Sequence, residues 1–178
     1  MSVIDRPLWF RAAALSAREH AGQLRKDGET PYGAHPARVA LTIATTFGLT
    51  DEAILAAALL HDTIEDCATD YEDVEEACGE EVATYVVAMT KDMRLPTEER
   101  EVAYDDQLAA GPWQARLIKL ADVYDNLSDA RTDWGRRKII ERADRALALA
   151  ADDAMLAGAC EKLRELIGRV EAGMAAAS

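Results

Sequence analysis

The sequence predicts an all-α fold, a bundle of about eight to ten helices in a single domain that spans residues 1–178. The period-two alternation typical of half-buried strands is absent over any useful length. Apolar residues instead recur with helical spacing, and helix-start and helix-stop residues separate the apolar stretches. A chain of 178 residues has the length of one domain and can bury a sizeable core.

Turn-forming residues divide the first part of the chain into three helices. Asp5 and Pro7 form a helix start, and a mixed apolar stripe follows them. Pro36 suits the first turn of the next helix, which places His35 at the mouth of that helix. The predicted helices cover residues 10–25, 36–48 and 53–60, with a loop rich in turn formers at 26–33.

The second part of the chain is divided in the same way. Asp70 and Thr97 are helix-start residues, and Gly79 and Gly111-Pro112 are helix stops. The last two helices are rich in Ala, Leu, Arg and Glu, which are strong helix formers. The predicted helices cover residues 70–79, 82–89, 97–110, 113–130, about 136–150 and about 153–171.

The net charge of −13 arises from 33 acidic and 20 basic residues. It disfavours nucleic-acid binding, which depends on Lys and Arg to displace counterions. It does not exclude a small anionic ligand, because a metal or a local basic cluster reverses the field inside a cleft. We find no leader pattern and no apolar run of membrane-spanning length, so we expect a cytoplasmic chain without a membrane partner. Nothing in the pattern specifies an oligomeric state.

The three cysteines are Cys67, Cys78 and Cys160. They are odd in number, lie far apart and include no CxxC motif. The sequence therefore predicts buried free thiols in a reducing compartment rather than a thiolate zinc site.

The most informative segment is LLHDTIED, residues 59–66, in which an apolar helix runs into four side chains that can handle metals or protons. His61 and Glu65 are four residues apart, as are Asp62 and Asp66, so we expect each pair to share one face of a helix. Carboxylates near a helix C-terminus oppose the helix dipole, which favours cations there. A bound divalent cation would offset this repulsion, so the segment predicts a metal site.

Other ligands must come from elsewhere in the chain, and His35 and Asp122 are the candidates. His35 stands at a loop–helix junction, and Asp122 follows an apolar stripe, where an isolated charge is costly unless it is paired or metal-bound. Two imidazoles and two carboxylates form a mixed donor set that suits Mn²⁺, Fe²⁺ or Zn²⁺ better than Ca²⁺. Asn126 lies four residues after Asp122 and either holds a substrate or water beside the metal or is a surface amide.

The order His35, His61-Asp62, Asp122 resembles the ligand signature of the HD-domain metal-dependent phosphohydrolases. Longer segments resemble the hydrolase domain of RelA/SpoT-type enzymes, which act on the alarmone (p)ppGpp. These segments are HAGQLRKDGETPYGAHP (20–36), AALLHDTIED (57–66), Thr90-Lys91 and IKLADVYDNL (118–127). The resemblance covers residues 8–130 approximately, with the helices at 136–171 beyond it. It implies an HD-domain helical bundle similar to the small stand-alone alarmone hydrolases.

The resemblance implies that one Mn²⁺ is bound by His35, His61, Asp62 and Asp122. It assigns Glu65 and Asp66 to positioning or activating the attacking water, whereas solvated charge at a helix end is the alternative for this pair. The chemistry is sound, because a divalent ion lowers the pKa of bound water and a nearby carboxylate accepts the proton.

The resemblance also implies contacts to a small-molecule nucleotide substrate. Arg25 and Lys26 match a basic pair that in the family approaches the guanine and its phosphates. A solvated helix end is the alternative for both residues, and Lys26 in particular fits it. Asn126 matches the family asparagine next to the nucleotide. Tyr32 either stacks on a ligand or closes the loop. His20, the third histidine, is expected to be structural.

Three positions after Asp122 depart from the family pattern. Val123 and Ser128 stand where basic residues are common, and Asp125 adds negative charge close to a polyanion site. Substitute cations, or only the polar face of a helix, are offered by Arg131, Arg136, Arg137, Lys138 and Arg142.

Three hypotheses follow. The first is removal of the 3′-pyrophosphate of (p)ppGpp to give GTP or GDP. The second, which the departures favour, is an HD phosphohydrolase with another substrate, such as a nucleotide or NADPH phosphatase. The third is a non-catalytic nucleotide-binding or protein-interaction module, ranked last because every expected metal ligand is present.

Overall fold

The computed structural model describes residues 6–177, and this part of the chain is helical and contains no β-strand. The predicted all-α class is therefore confirmed. A π-helical turn at Thr42–Thr46 continues α2, and a 3₁₀ turn at Ala154–Leu156 precedes α10. The α-helices are α1 (Leu8–Glu19), α2 (Ala34–Leu41), α3 (Glu52–Leu60), α4 (Thr63–Asp66), α5 (Tyr71–Cys78), α6 (Glu80–Met89), α7 (Thr97–Ala110), α8 (Trp113–Asp129), α9 (Asp133–Leu149) and α10 (Ala157–Ala177).

The first helix is shorter than the sequence predicts. α1 ends at Glu19 rather than near residue 25. Gly22 adopts a left-handed backbone conformation with φ of 83°, which an α-helix does not contain. The predicted helix start at Asp5 lies outside the described residues.

The loop between α1 and α2 is closed by its own hydrogen bonds. The Asp27 carboxylate accepts hydrogen bonds from the backbone N–H of Thr30 at 2.9 Å and from its hydroxyl at 2.7 Å. The backbone N–H of Arg25 donates to the Thr30 carbonyl at 2.8 Å. Arg25 and Lys26 are therefore presented by a hydrogen-bonded turn rather than by a helix end.

The helix that leads to His61 is interrupted within the predicted metal motif. The Asp51 carboxylate caps α3 by accepting a hydrogen bond from a first-turn N–H at 3.0 Å, and the alanines that follow are buried together with Leu59 and Leu60. α3 ends one residue before His61, and His61 with Asp62 forms a turn before α4. The prediction of one continuous helix face is therefore wrong. Adjacent helical residues diverge by about 100°, and the turn removes that divergence.

The last two helices differ from their predicted bounds. α9 begins at Asp133 rather than near residue 136, because the Thr132 hydroxyl accepts a hydrogen bond from the Gly135 N–H at 3.1 Å and so caps an earlier first turn. α10 begins after the 3₁₀ turn and extends to Ala177 rather than to residue 171.

The hydrophobic core holds α8 at its centre. One cluster of buried side chains includes residues from α1 to α10, among them Leu117, Ile118 and Leu120 of α8, each fully buried. α8 packs against α2, α6, α9 and α10. The packing of α8 against α2 therefore fixes the position of Asp122 on α8 relative to His35 on α2.

Two expectations from composition concern the chain as a whole. None of the described helices is both long enough and apolar enough to cross a membrane. All three cysteines are free; Cys78 and Cys160 are buried, whereas Cys67 is only half-buried.

Candidate metal centre and nucleotide cavity

The four predicted metal ligands lie in one buried cluster, in which Asp122 contacts both histidines. His35 lies in the first turn of α2, His61 and Asp62 lie in the turn between α3 and α4, and Asp122 lies on α8. His35 Nε2 is 3.2 Å from Asp122 Oδ1, and His61 Nε2 is 3.9 Å from the same oxygen. His61 Nε2 is 3.7 Å from Asp62 Oδ2. All four residues are buried, with 2–9% of their surfaces exposed.

This arrangement fits a divalent cation. Ligands of an ion bound at about 2.0–2.2 Å lie roughly 3 Å apart, and ligand atoms of His35, His61 and Asp62 all lie within 4.8 Å of one another. Asp62 Oδ1 is buried without a hydrogen-bond partner. A bound cation would supply a partner for this buried oxygen.

The outer nitrogen of each imidazole is held by the protein. His35 Nδ1 is 2.7 Å from Asp125 Oδ2, and His61 Nδ1 is 2.9 Å from the Ala58 carbonyl. In the neutral imidazole each acceptor favours the proton on Nδ1, which would leave the Nε2 lone pair free for a metal ion that displaces the other proton. Carboxylates and carbonyls behind metal-binding histidines orient the ring in this way.

The apposed charges shift the pKa values of the cluster. Burial alone would lower the pKa of His35, but its hydrogen bonds to Asp122 and Asp125 outweigh burial and raise the pKa to about 9. Burial would raise the pKa of Asp62, but the charge of His61 and other contacts hold it below its usual range. The carboxylates are therefore ionised, as metal binding requires.

Lys119 is a charged neighbour of the predicted ligands that the sequence did not indicate. Its Nζ is 2.9 Å from Asp122 Oδ2, and Asn126 Nδ2 donates to Asp122 Oδ1 at 2.6 Å. Burial opposes the charge of both partners, but the Lys119 ammonium and His35 hold the pKa of Asp122 well below its usual value. The pKa of Lys119 is correspondingly raised. A lysine three residues before a buried aspartate on one helix is the signal that could have identified it.

His20 also reaches the centre, although the sequence favoured a purely structural role. The side chain is buried, and its Nε2 lies 3.2 Å from Asp62 Oδ1 in an ionic contact that lacks hydrogen-bond alignment. Its Nδ1 is 2.9 Å from Gln23 Oε1. Burial lowers the pKa of His20, but Asp62 and Gln23 raise it by more. His20 thus supports the second oxygen of a predicted ligand.

The two predicted catalytic carboxylates lie on α4, directly after this turn. Glu65 is half-buried, and its Oε2 accepts a hydrogen bond from the backbone N–H of Lys91 at 3.2 Å. Burial raises the pKa of the Glu65 carboxyl, which the N–H of Lys91 partly offsets. Asp66 is exposed, and its Oδ2 accepts from the Tyr32 hydroxyl at 3.2 Å.

Tyr32 contacts the acidic residues as well as its own loop. Its hydroxyl donates to Asp62 Oδ2 at 2.7 Å, its stronger contact, and is shared with Asp66. Its ring lies 5.5 Å from the Arg25 guanidinium carbon and 4.7 Å from the His20 ring. Tyr32 therefore links the loop to the metal ligand, a contact that neither of its two predicted roles includes.

The predicted nucleotide contacts line a cavity beside the metal centre. Arg25, Lys26 and Asn126 border a space of about 460 Å³, a volume typical of small-molecule sites. Arg25 Nη2 donates to Asn126 Oδ1 at 3.0 Å and to Asp129 Oδ2 at 3.2 Å. Because Asn126 also bonds Asp122, the cavity and the metal centre share one wall.

Asp125 does not add negative charge to this cavity, so the expectation that it would do so is wrong. It is 96% buried behind His35, and Arg38 donates to both of its carboxylate oxygens. His35 and Arg38 are three residues apart on α2, and Asp122 and Asp125 are three apart on α8, so the two pairs face each other.

The other departures have separate explanations. Val123 is buried in the core, and the Ser128 hydroxyl donates to the Tyr124 carbonyl at 2.8 Å. Of the five candidate substitute cations, Arg131 lines the cavity, where it pairs with Asp27 at 3.0 Å. Arg136 pairs with Asp133 on its own helix, as a polar helix face would.

Comparison with known proteins gives a consistent result. The model of the HD-domain family matches residues 12–153. The chain is 44% identical over 137 residues to guanosine-3′,5′-bis(diphosphate) 3′-pyrophosphohydrolase MESH1 of Homo sapiens, which covers 74% of this chain and 76% of that protein. The corresponding protein of Xenopus tropicalis is 39% identical over 142 residues, covering 77% and 79%.

A solved structure supports the same relationship. It is described as a metazoan ortholog of SpoT that hydrolyzes ppGpp, and it is 31% identical to this chain. The two folds agree with a TM-score of 0.81 over 92% of this chain and 96% of the other.

Proposed function

The chain belongs to the HD-domain family, and from that premise we propose that it is a metal-dependent hydrolase of the 3′-pyrophosphate of (p)ppGpp. The products are GTP or GDP and pyrophosphate. The observation that carries the proposal is the buried meeting of His35, His61, Asp62 and Asp122 inside a region that matches proteins named for this activity.

The four ligands would hold one divalent cation, and we propose Mn²⁺, because the mixed nitrogen and oxygen donor set suits a transition metal. When bound, such an ion polarises phosphoryl oxygens and lowers the pKa of a coordinated water. Asp125 and the Ala58 carbonyl keep both imidazoles in the orientation that presents Nε2.

The carboxylates beside the cluster would handle the proton. Water would attack the phosphorus attached to the 3′ oxygen, the O3′–P bond would break, and O3′ would take up a proton from solvent, which balances the proton that the attacking water loses. Glu65 would accept the proton from the attacking water. Burial raises the pKa of its carboxyl towards neutral pH, and a general base is most effective when its pKa lies near the working pH. Asp66, held by the Tyr32 hydroxyl, would position that water.

The nucleotide would occupy the cavity next to Asn126. Arg25 offers a planar fork to phosphate or a face to a base, and the exposed Lys26 offers a point charge. Tyr32 would position Asp62 and the loop rather than act directly. The partner we propose is a small nucleotide in the cytoplasm, and the net charge of −13 disfavours binding of nucleic acid. We treat residues 1–178 as one domain, supported by the single core cluster.

The test is a product assay with the metal-loaded protein. Purified chain with Mn²⁺ and ppGpp is expected to give GDP and pyrophosphate. Asp62→Ala should give neither, whereas Asp144→Ala, which alters an exposed aspartate of α9, should match wild type. Release of phosphate instead of pyrophosphate, or turnover only of other nucleotides such as NADPH, would contradict the proposed reaction and favour the second hypothesis.

A further inference from the structure

Trp134 is the most exposed large hydrophobic side chain within residues 6–177. It lies in the first turn of α9 and is 69% exposed. Tryptophan is enriched at binding interfaces, because its large ring offers apolar contact area while its N–H stays solvated. Trp134 lines the same cavity of about 460 Å³ as Arg25, Lys26 and Asn126.

A helix cap and a lysine contact set the position of the Trp134 side chain. The Thr132 hydroxyl caps α9 through the Gly135 N–H at 3.1 Å, which sets the direction of the first turn. Lys138, one turn later, places its Nζ 4.3 Å from the centroid of the Trp134 ring. The ammonium occupies one part of the ring surface by a cation–π contact, and the high exposure leaves the remainder available.

The cavity has the charge of a site for an anion with an apolar part. Its lining includes three cations, Arg25, Lys26 and Arg131, and two carboxylates, Asp27 and Asp129. Arg131 pairs with Asp27 at 3.0 Å and Arg25 with Asp129 at 3.2 Å. Lys26 has no ion-pair partner within residues 6–177, so the cavity carries a net positive charge in a chain whose net charge is −13.

The position of the cavity relative to the metal centre limits the ligand to one long enough to reach both. Asn126 contacts the ligand residue Asp122 at 2.6 Å on one side and Arg25 at 3.0 Å on the other. A ligand that reacts at the metal centre and also occupies the cavity that Trp134 borders would therefore pass Asn126.

We propose that Trp134 is the stacking platform for the purine base of the nucleotide, with Arg25 and Lys26 on its phosphates; this rests on the proposed function. Aromatic side chains bind bases through the π-face that every base has. Trp134 acts through affinity alone, since it does not touch the reacting atoms.

The experiment measures GDP binding without added metal, by calorimetry and by tryptophan fluorescence. Trp134→Ala is expected to weaken GDP binding by about 5- to 100-fold, and to abolish the quenching that GDP causes. Trp134→Phe retains a stacking face and should recover most of the affinity. Trp9→Phe is the matched control, because Trp9 is 46% exposed on α1 and does not line the cavity.

Two further readouts separate stacking from a structural role. Binding of inorganic pyrophosphate, which has no base, should be equal in wild type and Trp134→Ala. In turnover of ppGpp, KM should rise with the loss of GDP affinity while kcat stays within about twofold, as expected when only uniform binding is lost. GDP affinity in Trp134→Ala equal to that of wild type would overturn the inference.

The inference and the proposed function fail in different ways. Wild-type protein that binds GDP through Trp134 but releases no pyrophosphate from ppGpp contradicts the proposed reaction and leaves the stacking site standing. Efficient pyrophosphate release with an unchanged KM in Trp134→Ala contradicts the stacking site alone.

Discussion

The two ends of the candidate site are built differently, although α8 contributes to both. At the metal end, Asp122 is 9% exposed, and His35 and His61 each have a protein acceptor behind the ring. At the cavity end, one turn along the same helix, Asn126 faces a space bordered by the exposed Lys26 and by Trp134. Buried charge has few stable arrangements, whereas a solvated rim tolerates many. Burial therefore fixes the positions of the side chains at the metal end, whereas the exposed residues that line the cavity have fewer constraints on their positions.

The largest expected effect comes from removing a buried ligand. Asp62→Ala should abolish stoichiometric Mn²⁺ binding and pyrophosphate release together, because two imidazoles and one carboxylate remain where four donors stood. Metal content by mass spectrometry after dialysis measures the first and product analysis the second. Full Mn²⁺ occupancy in Asp62→Ala would show that the ion binds elsewhere.

Removing the counter-charge of a ligand should cost stability. Lys119→Met leaves the Asp122 carboxylate without its ammonium partner, and we expect the metal-free protein to lose about 3–5 kcal/mol of unfolding free energy. Urea unfolding in chelator measures this loss. Excess Mn²⁺ should restore part of it, because the cation replaces the missing charge and binds only the folded state. Equal stabilities in chelator would mean that the pair contributes nothing.

A smaller effect is expected one layer behind the metal. Asp125→Asn weakens the acceptor that orients His35, and Mn²⁺ affinity should fall about 10- to 100-fold. The matched control is Asp129→Asn, which also removes a carboxylate partner of Arg38 but does not touch His35. Calorimetric titration with Mn²⁺ distinguishes them; equal losses in both variants would assign the effect to Arg38 rather than to His35.

The smallest effect should appear at the cavity end. Arg25→Lys keeps the charge but loses the planar fork that contacts Asn126 and Asp129, and KM for ppGpp is expected to rise about tenfold. Metal content and kcat should stay at wild-type values. A loss of Mn²⁺ in this variant would break the distinction between the two ends.

The sequence predicted the helical class and the residues that meet at the metal end, since helix punctuation and the order of His and Asp residues are local signals. The sequence predicted that α1 extends to residue 25, whereas it ends at Glu19. The spacing of apolar residues does not reveal that Gly22 adopts a left-handed conformation. The sequence also placed His61 to Asp66 on one helix, because the residue pattern does not reveal the turn at His61-Asp62 that separates α3 from α4.

Contacts between helices were beyond the reach of the sequence. The role of Asp125 was misjudged because its partner Arg38 is on α2, which only the packing of α2 against α8 reveals. The contacts of Lys119 and His20 were missed for a similar reason. Each side chain pairs with a buried aspartate, and the sequence does not show that the two lie close together in space.

The most direct test of the account is a titration of metal-free protein with Mn²⁺ while pyrophosphate release from ppGpp is followed. We expect the rate to rise linearly and to reach a plateau at one Mn²⁺ per chain, as a single site formed by His35, His61, Asp62 and Asp122 requires. Pyrophosphate release that persists in chelator, or one bound equivalent of Mn²⁺ with no release, would contradict it.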